Sequence, residues 1–321
     1  MSSSSVANFT DAHAYGAALC AVDAEILVIG KGDFRAELTE IDLPRLRIRC
    51  GHENLPRISH VRVPAERTLL CFPSDARQPA MHVGGKDLSA GEIMVFASST
   101  VHHEWTSAPC GWGVISVTTA DLAAAGRSVV GRDLDLASNT HLVRPHPVQG
   151  SWLANLLEIA ERLARAAPDV FACAAVARGL EQELIYAIIK CLSEGTPVAM
   201  GRGAHHHSRI IERFELLLAA NRGRPLYLAE ICAATGVSER TLRGCCHEHL
   251  GMGPIQYLHL RRMHLARHAL MLVDSKFATV TEIATRFGFW ELGRFAVEYR
   301  ALFGESPSAS LRRPWEESKH T

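Results

Sequence analysis

The sequence predicts an α+β chain in which a β-rich first part, a helical hairpin and an all-α last part follow one another. Three observations predict it. Short apolar runs separated by turn residues fill the stretch from about residue 20 to 120, the spacing switches to helical near Trp152, and helical patterning continues to the end after residue 208. A length of 321 residues calls for two domains rather than one. A hydrophobic share of 47% beside a charged share of 21% is that of an ordinary globular chain with room for a core in each. The opening MSSSSVANFTDAHAYG lacks the basic flank and apolar run of a secretory signal, and no apolar run reaches the ~18 residues of a membrane helix. The expectation is a cytoplasmic chain without a membrane partner. Nine cysteines occur without a CxxC, an odd number that reads as reduced, mostly buried thiols. The initial serine run reads as disordered.

The runs AEILVIG (24–30), RLRIRC (45–50), TLLCFP (68–73), EIMVFA (92–97) and WGVISV (112–117) have strand length and stand between Gly, Pro, Asn and Asp. They predict a barrel or a sandwich extending to about residue 150. From 151 to 194 a hairpin of two helices is expected. Leu153, Leu156, Leu157 and Ala160 mark the first helix, and Leu180, Leu184, Ile188 and Leu192 mark the second after Pro168. The second stripe is a narrow seam that either forms a homodimer interface or covers the β-rich part. Residues 195–208, rich in Gly and small residues, read as a linker in which His205, His206 and His207 are solvated.

Beyond the linker, residues 209–321 are helical. Ile210, Phe214, Leu217 and Leu218 share one face of RIIERFELLLAAN. In LAEICAATGVSERTLRGCCHEHLG (228–251) a helix, a turn at Gly236 and a second helix follow, the second capped by Ser238 with Glu239 in its first turn. Pro254 opens a long connecting helix. Thr279 and Glu282 have capping-box spacing at the head of VTEIATRF, a turn falls at Gly288, and the helix WELGRFAVEYRALFG ends the repeat, giving units at 228–251 and 279–307. From His205 onward there are 16 Lys and Arg against 12 Asp and Glu, whereas residues 1–204 carry 18 against 22. The basic balance lies where the paired units are.

These residues resemble the AraC/XylS regulators over roughly 209–313, in LAEICAATGVSERTL, the connector GMGPIQYLHLRRMHLARHAL, and VTEIATRFGF followed by RFAVEYRALFGESP. The connector and GFWELGRFAVEYRALF are especially similar to regulators of ethanolamine utilisation. The resemblance implies a sequence-specific DNA-binding transcription regulator whose partners are double-stranded promoter DNA and, if it activates, RNA polymerase. Each second helix would enter a major groove, the two about one DNA turn (~34 Å) apart. Phe295, Tyr299 and Phe303, at i, i+4 and i+8, are expected in the core, as is Leu242. The candidate DNA-facing residues are Ser238, Glu239, Arg240, Thr241 and Arg243 in the first unit, and Glu291, Leu292, Arg294 and Arg300 in the second. Arginines there can pair with guanine edges, and Arg300 is expected to reach phosphate at most. Gly244 stands where the family often has arginine, Val297 occupies the equivalent place in the second unit, and Cys246 replaces a usual phenylalanine.

The resemblance also implies an effector-binding and dimerisation domain over residues 1–194, similar to a cupin-like β-barrel with a helical hairpin. An unknown small-molecule effector is its expected partner, with His82, His102, Trp105 and Trp112 as candidate effector-binding residues. His82, His102, His103 and Glu104 lack the HxH…E spacing of catalytic cupins, so no metal site or other cofactor is assigned. No GxSxG, HExxH or phosphate loop is present, and the chain is expected not to be an enzyme. The alternative is a cupin-type metalloenzyme carrying a DNA-binding appendage.

Overall fold

Residues apolar on one face of a strand, or on both, sort the strands into two stacked sheets. The structure, a computed structural model, describes residues 2–19, 25–132, 140–198, 202–221, 224, 226–273 and 278–312. The larger sheet joins β1 (Ser3–Phe9), β3 (Ala36–Asp42), β4 (Leu46–Glu53), β11 (Cys110–Thr118), β6 (Arg67–Pro73), β9 (Ile93–Phe96), β12 (His141–Arg144) and β13 (Thr196–Val198), in that order. The smaller joins β2 (Glu25–Val28), β5 (Arg57–Arg62), β10 (Val101–Trp105), β7 (Met81–Val83) and β8 (Lys86–Leu88). Each sheet is open at both edges, so the expected barrel is not closed; its two sheets face one another across a core instead.

The run at 92–97 shows why. Met94 and Phe96 point into the space between the sheets, with Leu38, Leu69 and Cys71 from one side and Ile26, Val28, Met81 and Val83 from the other. Ile93 and Val95 point the opposite way, into a second core. A strand buried on both faces reads as a continuous apolar run. What covers the outer face of the larger sheet is α2 (Thr119–Val130), α3 (Pro147–Ala166) and α4 (Ala174–Glu194). Leu184, Ile188 and Leu192 are 0–8% exposed there, packed with Ile48, Leu70 and Ile115. The stripe read as a possible dimer seam therefore covers the chain's own sheet, because a strand face apolar on its outer side needs that cover.

Two further expectations are corrected. Ser3, Ser4 and Ser5 are not disordered but extended, pairing antiparallel with Asp42, Ile41 and Glu40, since a sheet edge is completed by backbone groups whatever the side chains. The stretch 195–208 is not a free linker. Thr196–Val198 adds to the edge strand β12, and α5 (Arg202–Ala220) already begins within it. His207 Nδ1 lies 2.5 Å from Glu248 Oε2, while the His205 side chain and residues 199–201 lie outside the described residues.

The outer face of the smaller sheet carries the last layer. Leu27 and Ile58 pack with Ile210, Ile211 and Phe214 of α5 and with α6 (Leu228–Thr235), α7 (Glu239–Leu250) and α8 (Pro254–Leu272). Polar ties fasten the same face. Arg261 of α8 reaches Glu25 of β2 at 3.4 Å and Glu215 of α5 at 2.9 Å, and Arg267 reaches Asp11 at 2.8 Å. α9 (Val280–Arg286), α10 (Leu292–Phe303) and α11 (Pro307–Arg312) close a core of their own around Phe289, Phe295, Tyr299 and Phe303. Among the described residues no helix is long and apolar enough to cross a membrane.

Candidate nucleic-acid interface

Each unit turns where glycine permits it. Gly236 ends α6 at φ 72° and Gly288 follows α9 at φ 79°, left-handed conformations that β-carbons disfavour. Ser238 then caps α7, its Oγ accepting the Thr241 N–H at 3.2 Å. The hydroxyls of Ser238 and Thr241, 3.0 Å apart, thus serve the helix start first. In the second unit the box is reciprocal: Thr279 N–H donates to Glu282 Oε2 at 2.8 Å, and Glu282 N–H to Thr279 Oγ1 at 3.2 Å.

Burial sorts each second helix into two faces. On α7, Leu242, Cys245, Cys246, His249 and Leu250 are buried, whereas Glu239, Arg240, Arg243, Gly244 and His247 are exposed. Burial pushes the Cys246 thiol well above its ordinary value and the Cys245 thiol up to about 11, so both are protonated packing groups near neutrality. On α10, Phe295, Tyr299 and Phe303 are buried, and Glu291, Leu292, Arg294, Val297 and Arg300 are exposed. The expected reading faces are therefore solvent-facing in both units.

The predicted arginines are not equivalent. Arg243 is held by Glu239 at 2.5 Å and Arg294 by Glu298 at 2.8 Å, each across one helical turn. Glu298 also faces His259 at 3.1 Å and is held below the usual carboxylate range, chiefly by Arg294. Exposed pairs of this kind add little stability and open easily for a stronger anion. Arg240 and Arg300 have no carboxylate partner among the described residues. Trp290, 78% exposed and two residues before α10, was not among the expected residues, although a tryptophan two positions beyond the turn glycine was a visible signal.

The four candidate effector-binding residues do not line one pocket. Period 2 along β10 sends His102 inward and Trp105 outward. His82 stacks on Trp105, ring centroids 3.6 Å apart, and Trp105 Nε1 donates to the Glu248 carbonyl of α7 at 3.4 Å. His102 lies inside against Phe96 and Thr100, its imidazole held down to about 3 by burial. Trp112 donates to Glu53 Oε1 at 2.8 Å beside a buried cluster in which Arg57 bridges Glu53 at 2.8 Å and Glu104 at 3.3 Å. That cluster brings Glu104 and Trp112 to the local pair Glu53 and Arg57 from about fifty residues away, and no local pattern announced it. Among the described residues no group of three or more His, Cys, Asp and Glu is placed to hold a metal ion.

Comparison with known proteins locates a likeness on the helical half. Residues 231–313 match the family model of a helix-turn-helix domain, from within α6 to the end of α11. The probable thc operon regulatory protein of Rhodococcus erythropolis is 43% identical over 95 residues, covering 30% of this chain and 29% of that protein. The XylDLEGF operon transcriptional activator 2 of Pseudomonas putida is 33% identical over 100 residues, covering 31% and 64%. The chain thus spans less than two thirds of the length of either relative. The crystal structure of the AraC-like transcriptional activator CuxR aligns over 88% of this chain and 100% of its own, at 14% identity and a TM-score of 0.45.

Proposed function

We propose that this chain is a sequence-specific DNA-binding regulator of transcription, with residues 209–321 reading promoter DNA and residues 1–194 sensing an effector. One observation carries the reading: two helix-turn-helix units, joined by α8, each present an exposed, arginine-bearing face on the second helix over a buried apolar one. Such helices dock in adjacent major grooves. The relatives' names, an operon regulatory protein and an operon transcriptional activator, support an activator that meets RNA polymerase at its promoter. A cytoplasmic location belongs to the same reading. So does the finer likeness of the connector and last helix to regulators of ethanolamine utilisation, which concerns the DNA-binding half and leaves the effector unspecified. A route for the effector's signal is offered by the contacts of α8 with β2 and with Asp11, through Arg261, His264 and Arg267. Homodimerisation through a surface other than the α4 stripe completes the proposal.

Arg240, exposed and without a carboxylate partner, is the foremost base reader of the first unit, and Arg294 that of the second. Selection of duplexes from a random pool by the full chain should yield sites with two elements about one helical turn apart. Arg240→Ala should relax preference at a position in one element by ~1–3 kcal/mol, and Arg294→Ala at a position in the other. Unchanged preferences at every position in both variants would remove these assignments. A full chain that selects no duplex would remove the function itself.

A further inference from the structure

Between the two units lies a cavity of about 490 Å³ with largely apolar walls, in which the charged side chains among the described residues are all arginines. Its floor is α8. Its rims are the segment leading into α6, at Tyr227, and the turn leading into α10, at Trp290. Four arginines line it (Arg224, Arg261, Arg262 and Arg286), and no Asp or Glu does among the described residues. Two of the four are already engaged, Arg224 with Glu230 at 3.0 Å and Arg261 with Glu215 at 2.9 Å. Arg262 and Arg286 have no carboxylate partner among the described residues. Their guanidinium groups rest over rings instead, Arg262 5.3 Å from the Phe289 centroid and Arg286 6.0 Å from that of Phe287. Arg262 Nε is buried without an acceptor, a donor that a native structure ordinarily satisfies. Tyr227 and Trp290, 72% and 78% exposed, place large aromatic surface at the mouth.

We infer that this cleft seats the sugar–phosphate backbone that runs between the two major-groove elements, with Arg262 and Arg286 as its phosphate contacts. The inference rests on the reading of the chain as a DNA-binding regulator. In a helix-turn-helix the start of the first helix crosses the backbone and the start of the second reaches the groove. The rims of this cleft are one such start from each unit. A duplex read by both units must pass a strand across the space between them, where an anionic ridge meets unpaired cations and the deoxyribose faces meet the two aromatic rims. Phosphate contacts of this kind fix the register of the readers without reading sequence themselves.

The test uses the full chain and a duplex it has selected, with affinity followed against salt concentration. Each neutralised phosphate contributes about 0.9 to the slope of log affinity on log salt. Arg286→Gln and Arg262→Gln should each make the slope shallower by about 0.9 and the double variant by about 1.8. Base preferences should stay unchanged, and hydroxyl-radical protection should fall only on the backbone between the two elements. Arg286→Lys should keep the wild-type slope. If Arg262→Gln lowers the melting temperature, the exposed Arg286 pair of variants decides alone. An unchanged slope and footprint in the double variant, with wild-type binding intact, would overturn the inference and leave the DNA-binding reading standing. A changed preference at a base position would overturn it too, by making these arginines base readers. A cleft occupied by a small anion or a protein segment would appear as that same unchanged slope. A wild-type chain with no affinity for any duplex would remove both the reading and the inference.

Discussion

The two helix-turn-helix units share a plan and differ in what holds them. The second is built on its own aromatic core, with Phe289, Phe295, Tyr299 and Phe303 in successive ring contacts and Tyr299 Oη donating to Ser310 Oγ at 2.7 Å. Its ties to the β-half include polar ones, such as Arg267 to Asp11, and an edge contact of Leu302 with the core that holds Leu27 and Ile58. The first has a small side chain, Cys246, at the helix position that Tyr299 fills in the second. Its core is completed by Leu27 and Ile58 of the smaller sheet and by Trp105 at the end of α7. Its α6 starts without a Ser or Thr cap, and only the return bond is kept, from Tyr227 N–H to Glu230 Oε2 at 2.9 Å. A unit that borrows its core from a neighbouring layer takes on that layer's state. Under the proposed function, the first unit is the one through which a change in the β-half would be felt at DNA.

The largest effects test that asymmetry directly. Phe295→Ala empties a site 2% exposed and should cost about 3–5 kcal/mol. The loss of amide protection is expected to concentrate in α9, α10 and α11. Leu27→Ala, in a strand of the β-half, should cost about 2–5 kcal/mol and lower protection in α7 as well as in β2 and β5. Hydrogen exchange read by segment checks both. Full protection of α7 in the Leu27 variant would break the comparison, and so would loosening of the β-half in the Phe295 variant.

The sequence carried the second unit more completely than the first, for a physical reason. Aromatics at i, i+4 and i+8, a Thr–Glu capping box and a turn glycine are local signals, and Phe295, Tyr299, Phe303, Thr279 and Gly288 occupy the expected places. The pairing of Arg243 with Glu239 and of Arg294 with Glu298 was also open to local reading, since both pairs stand four residues apart on helices. The layers were not open to it. VHHEW in β10 is half-buried or buried at every position, so its alternation is hidden in the sequence. Which face of β10 meets α7, and that Glu25 would find Arg261, depend on sheet order and long-range packing rather than on local composition. The candidate effector residues were gathered from sequence proximity, and the pleat then divided them between two faces.

The joint between the layers should also respond to acid. His264 of α8 donates its Nε2–H to the Val28 carbonyl of β2 at 2.9 Å, and burial holds its imidazole down to about 4. An unfolded histidine titrates near 6.5. As pH falls below ~6.5 the unfolded chain takes up the proton first, so stability is full above that value and is lost progressively down to about 4. The loss approaches ~1.4 kcal/mol per pH unit for this one proton. His264→Gln keeps a donor toward Val28 without titrating, and its unfolding free energy should fall less steeply across this window. Denaturant titrations at several pH values measure the slopes; equal slopes in the two proteins would assign the acid response elsewhere.

The smallest change sharpens the comparison within α7 itself. Gly244 lies mid-helix on the exposed face, one turn beyond Arg240, and a β-carbon built there meets no atom within 4 Å. Glycine in a helix interior costs roughly 0.5–1 kcal/mol relative to alanine, because more backbone freedom is lost on folding. Gly244→Ala should therefore raise the stability of the first unit by about that amount and bring its helix nearer to the firmness of α10. The change also sets one methyl group on the face proposed to enter the major groove. Thermal melts of the free protein report the first effect and affinity for a selected duplex reports the second. A stabilised variant with unaltered affinity would mean that softness in α7 serves no purpose at DNA. A stabilised variant that binds more weakly would place the Gly244 backbone in close approach to the duplex. No gain in stability would show that α7 is already fixed by its neighbours Ile58, Phe214 and Trp105, and that borrowed packing outweighs local propensity there.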